Sequence, residues 1–108
     1  MYTNCDEIFK LTIPAARAAV AKALDKKYAM SQQQIAKSLG VAQAAISKYL
    51  SGRYSQKIKR VERVIEKRRY EVPIAKMIAD KKGREAVSLK VDKLAANGEV
   101  VKEALKLI

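Results

Sequence analysis

The sequence predicts an all-α fold, and three observations carry that expectation. Apolar residues recur at three- and four-residue spacing in successive segments from Ala16 to Ile108. The glycines and prolines punctuate those segments, at Pro14, Gly40, Gly52, Pro73, Gly83 and Gly98. The stretch from Ser31 to Arg53, SQQQIAKSLGVAQAAISKYLSGR, then fits two short helices joined by a tight turn, with the rest of the 108-residue chain arranged around it.

The turn is specified residue by residue. A first helix is expected from about Gln32 to Ser38, a turn at Leu39-Gly40-Val41, and a second helix from about Ala42 to Leu50. Helices crossing at a steep angle need a small residue at the crossing, and Ala36 supplies it. The reversal after the first helix needs φ > 0, and Gly40 adopts it without a Cβ clash. Ile35 and Leu39 give the first helix its apolar stripe, and Val41, Ile46 and Leu50 give the second its matching face. Ser31 and Gln34 have the spacing of a capping box.

With Ile46 and Leu50 inward, the opposite face presents Gln43, Ala44, Ser47 and Lys48. A glutamine amide pairs with adenine, an alanine methyl meets a thymine methyl, and serine or lysine reaches bases or backbone. Any small helical hairpin has a polar face, so the face alone decides little. Charge adds to it. The chain holds 23 Lys plus Arg against 11 Asp plus Glu, a net of +12, which favours a polyanionic partner. From Lys26 to Val61 there is no acidic residue, while Lys26, Lys27, Lys37, Lys48, Arg53, Lys57, Lys59 and Arg60 are basic. A basic run is ordinarily a solvated face. Its coincidence with the paired helices points to nucleic acid.

Small Ala36, turn Gly40, apolar Ile46 and a glutamine opening each helix resemble the lambda-repressor-like, or Cro-like, class of helix-turn-helix DNA-binding proteins. The resemblance implies that Gln32 braces Gln43 and touches phosphate. The segment Asn4 to Leu24, NCDEIFKLTIPAARAAVAKAL, is also similar to the start of an archaeal group of transcriptional regulators, through Cys5-Asp6 and Pro14-Ala15-Ala16-Arg17-Ala18. Together they cover roughly the first half of the chain, through Arg53. The expectation is a regulator of transcription bound to double-stranded DNA, with Gln43, Ala44, Ser47 and Lys48 on bases and Gln32, Lys37, Arg53, Tyr54 and Lys57 on phosphates. For Tyr54, packing on the core is an equal reading.

Met1 to Lys10 reads either as a short helix or as an extended lead-in. Pro14 reads as the first residue of an Ala-rich scaffold helix reaching about Lys27. A long helix is expected from about Gln56 to Val72, broken by Pro73. Short helices then follow over Ile74 to Lys82, Glu85 to Ala96 and Glu99 to Leu107, with Asn97-Gly98 read as a C-cap. Residues 1–72 thus form a DNA-binding domain and 73–108 a helical extension. The extension has more apolar positions than the motif requires, and twofold binding is common in this class. Val87, Val91, Leu94, Val101 and Leu105 are therefore expected to form a homodimer interface, against the plainer reading that they complete the monomer core.

Catalytic equipment is sparse. There is no His, and Cys5 stands alone, which leaves no basis for a metal or other cofactor and no intramolecular disulfide. Cys5 is expected to be a small, partly buried apolar residue. No apolar run spans a bilayer, and the expected location is cytoplasmic, with the nucleoid. Two other functions fit the composition: an architectural protein that coats DNA without reading it, and an antitoxin- or coactivator-type interaction protein on the same fold. RNA binding is disfavoured by one Phe and no Trp.

Overall fold

A computed structural model describes residues 5–108 as seven helices, with no strand among the described residues. They are α1 (Cys5–Tyr28), α2 (Gln32–Leu39), α3 (Gln43–Ser51), α4 (Gln56–Lys67), α5 (Val72–Ala79), α6 (Arg84–Ala95) and α7 (Gly98–Leu105). Helix α1 packs against each of the other six. It can do so because Ala15, Ala16, Ala18, Ala19 and Ala21 are buried and let neighbouring backbones approach closely. Val20 and Leu24 fill the gaps between them.

The start of α1 differs from expectation. Pro14 lies inside the helix, which already runs from Cys5. The ring removes one backbone hydrogen bond, but Ile8 and Leu11 pack on the core, and Asp6 and Glu7 favour the first turn. Tertiary packing therefore decides for helix over residues 5–10. Met1 to Asn4 lie outside the described residues. Cys5 is exposed rather than partly buried.

The hairpin turns follow the sequence closely. Ser31 Oγ accepts from the Gln34 N–H at 3.1 Å while Gln34 Oε1 accepts from the Ser31 N–H at 3.0 Å, closing the capping box. Gly40 adopts φ 69, and the Val41 N–H reaches the Ala36 carbonyl at 3.0 Å. Gly52 repeats the device after α3 with φ 74, its following Arg53 N–H bonded to the Lys48 carbonyl at 3.0 Å. Ile35 and Ile46 are fully buried, and Ala36 lies between the helices at 6% exposure.

Beyond α4 the expected limits shift. Helix α4 stops at Lys67, not Val72, because Arg69 takes a left-handed φ of 57 and the Tyr70 N–H returns to the Ile65 carbonyl. Pro73 does not end that helix; it sits in the first turn of α5, where its missing N–H is harmless. Asn97 is an N-cap rather than a C-cap, its Oδ1 accepting from the Glu99 and Val100 N–H groups. Across this corner Glu99 accepts from the Arg68 Nε–H at 3.0 Å and from the Tyr70 hydroxyl at 2.6 Å, tying α7 to the end of α4.

One hydrophobic cluster runs from Ala15 through Ile46 and Ile65 to Val100 and Ala104. The radius of gyration is 13.0 Å, that of a single packed unit, about 13 Å for 100 residues. The core thus continues past Pro73. This corrects the expected interface: Val87, Val91 and Leu94, at 2%, 5% and 7% exposure, are consumed by the monomer core. The apolar excess of the C-terminal helices covers the far side of α1. Of the five expected positions, Leu105 is exposed and Val101 half-buried.

Candidate nucleic-acid interface

Helix α3 is held from behind by Ile46, with Leu50 and Tyr49 half-buried beside it. That anchoring turns Gln43, Ala44 and Lys48 outward as exposed residues and leaves Ser47 half-exposed. The four therefore share the solvent side of the helix. No side chain caps the start of α3, where Ala42 is the N-cap, so its first amide N–H groups lack a side-chain partner there. Lys37, Arg53 and Lys57 are exposed around this face, and Gln32 is half-buried at the start of α2.

Arg53 is placed by more than its backbone. Its Nε–H donates to Ser51 Oγ at 2.9 Å, and the Ser51 hydroxyl donates to the Lys48 carbonyl at 3.3 Å. The guanidinium is thereby tied to the end of α3. Ser55 then caps α4, its Oγ accepting from the Ile58 N–H at 3.2 Å.

Between Arg53 and Ser55, Tyr54 does not face outward. Its hydroxyl donates to Glu62 Oε1 and accepts from Lys22 Nζ at 2.7 Å, so it is not available for a phosphate. The ring meets Tyr49 edge to face at 6.0 Å, with Lys22 Nζ and Lys59 Nζ at 5.4 and 5.5 Å from its centroid. Tyr54 is corrected from phosphate ligand to anchor: it fastens the loop that carries Arg53 to α1 and α4. Burial and the adjoining Glu62 carboxylate push its phenol up to about 12.

Glu62 was not anticipated from the sequence. It is buried at 2% exposure in α4 and pairs with Lys22 Nζ at 2.8 Å. Burial opposes the Lys22 charge, but its hydrogen bonds to Glu62 and Tyr54 outweigh this and its pKa is raised. The only hint in the sequence is that position 62 adjoins the apolar stripe of Ile58, Val61 and Ile65. One turn on, desolvation and then the Glu62 charge push Glu66 up from 4.5 to about 7. Between those two values the unfolded chain has released a proton that the folded chain retains, so the fold loses stability as pH rises from 4.5 to about 7. Glu66→Gln is therefore expected to raise Tm at about pH 8 and to change it little at about pH 4, read by thermal melts. An equal effect at both values would mean that Glu66 is not strained by its surroundings.

Among the described residues no group of His, Cys, Asp and Glu is arranged to hold a metal ion. No helix of the described residues is long and apolar enough to cross a membrane. What the fold does present is a steeply turned helix pair with an exposed polar face, set in an acid-free basic stretch. That combination is the arrangement of a helix-turn-helix domain. Residues 19–67 match the model of the helix-turn-helix family, from the second half of α1 to the end of α4. The match includes the whole of α2 and α3 and every residue expected to touch DNA. Such domains bind DNA and are typical of regulators of transcription. No match was found among curated proteins or among solved structures.

Proposed function

We propose that the chain is a sequence-specific regulator of transcription that inserts α3 into the major groove of double-stranded DNA. The observation that carries this reading is the exposed set Gln43, Ala44, Ser47 and Lys48 on a helix locked from behind by fully buried Ile46. A coat protein needs only cations, whereas base reading needs short side chains of distinct chemistry held in one orientation. Gln32, Lys37, Arg53 and Lys57 hold the backbone, and Tyr54 acts by fixing the loop beneath Arg53. The protein acts as a homodimer, since one such helix reads few bases and paired half-sites lie about one turn of DNA apart. With Val87, Val91 and Leu94 consumed by the core, α7 offers Leu105 and Val101 to the second copy.

The test is capture of fragmented genomic DNA on the purified protein at about 200 mM salt, where phosphate-only binding is suppressed, followed by sequencing. Enrichment of one motif with twofold symmetry is the expected result. Enrichment without symmetry would remove the dimer, and recovery without sequence preference would move the function to DNA coating. Failure to recover DNA would favour a protein-interaction role.

A further inference from the structure

On the flank of α2, an open groove of about 640 Å³ lies between α2, the end of α5 and the start of α6. Its size is within the range of small-ligand sites, about 300–1,000 Å³. Two features of its wall bear on what it could bind. Lys37, Lys81, Lys82 and Arg84 line it without any carboxylate. Among the described residues none of these four forms an ion pair, so their charges are open to a ligand. Asp80, next in sequence to Lys81, is paired instead with Lys76 at 3.1 Å. Met30, Ile78, Ala79 and Val87 supply apolar surface, and Tyr28, Gln34 and Ser38 complete the lining.

Phosphate backbone alone would gain nothing from an apolar floor, and a purely apolar ligand would leave four cations without counter-charge. We infer that the groove binds a small organic polyphosphate carrying an aromatic body, nucleotide in type. The anionic groups engage Lys81, Lys82, Arg84 and Lys37, which offer several charge-assisted donors. The aromatic body lies against Tyr28 and Met30, where the Gln34 amide and the Ser38 hydroxyl line the same wall and supply polar contacts for its edge. Arg84 also approaches the hairpin turn: a Cβ at Gly40 would lie 3.3 Å from Arg84 Cδ. A ligand that draws on Arg84 and Lys37 therefore touches the supports of the DNA-reading pair. This last link rests on the proposed function; the binding itself does not.

The probe is methylanthraniloyl-labelled ATP, titrated with the full chain in the absence of DNA and followed by fluorescence anisotropy. Saturable one-to-one binding is expected, with inorganic triphosphate a weaker competitor than unlabelled ATP. The pair Lys82→Ala and Arg84→Ala is expected to weaken binding at least about tenfold, as loss of charge-assisted bonds does. The pair Lys93→Ala and Lys102→Ala removes the same charge away from the groove and is expected to leave binding unchanged. Non-saturable binding, or equal losses in both pairs, would reduce the effect to general charge attraction and overturn the inference. No probe binding, with lower DNA affinity in the Lys82 and Arg84 pair, would reassign the groove to the DNA backbone. Because the titration contains no DNA, failure of the regulator reading leaves its outcome intact.

Discussion

Lys22→Met is expected to destabilise the fold by about 2–3 kcal/mol, somewhat less than the roughly 3–5 kcal/mol lost when one partner is stripped from a fully buried ion pair. The reason lies in the asymmetry of the pair. Lys22 retains 31% side-chain exposure, which screens it, whereas the Glu62 side chain is only 3% exposed. Removing the ammonium leaves a buried carboxylate with no counter-charge, between the Tyr54 hydroxyl and the Glu66 carboxyl. Tyr54→Phe keeps the ion pair and removes one hydroxyl, so its expected cost is about 1 kcal/mol. Urea unfolding of the two single variants and the double variant separates these contributions. Non-additivity is expected because the three groups form one network. If Lys22→Met unfolds at the wild-type midpoint, the ion pair contributes nothing and the loop is held by the Tyr54–Glu62 hydrogen bond and apolar contacts. The same variants bear on DNA: a loosened Tyr54 releases the loop of Arg53, which lowers affinity for every sequence alike.

This network shows where sequence reading stops. The hairpin was legible because each of its features is local: a capping box needs Ser31 and Gln34 three apart, and a left-handed turn needs Gly40. Helix type and order followed from apolar spacing. The Lys22–Tyr54–Glu62 triad is not local, for its members lie 32 and 8 residues apart and belong to three segments. No periodicity announces that a particular glutamate on α4 will meet a particular lysine on α1. The left-handed Arg69 was hidden for a related reason. Glycine marks such a position in advance, whereas the arginine here is flanked by Arg68 and Tyr70, both bonded to Glu99, a partner 29 to 31 residues away. The destiny of Val87, Val91 and Leu94 was likewise ambiguous, since an apolar stripe specifies burial but not the surface that provides it. Here α1 buries most of its middle, from Thr12 to Leu24, and required cover from more than one side.

Gln43→Ala is expected to cost about 1–3 kcal/mol on the captured site and to relax preference at one base position. The geometry makes the prediction specific. Gln43 is the first residue of α3, exposed, and carried by a helix whose rotation is fixed by buried Ile46. Truncation should therefore leave helix orientation and the neighbouring contacts of Ala44 and Ser47 in place. Arg53→Ala is the control of opposite kind: its guanidinium hangs from the end of α3 through Ser51, and its loss should weaken all sequences together while reducing the salt dependence of binding. Competition binding against every single-base variant of the captured site distinguishes the two. If Gln43→Ala preserves the whole preference profile and lowers affinity uniformly, Gln43 holds backbone, and the reading edge of α3 must be rotated toward Ser47 and Lys48. If Arg53→Ala changes the profile instead, the loop rather than the helix start enters the groove.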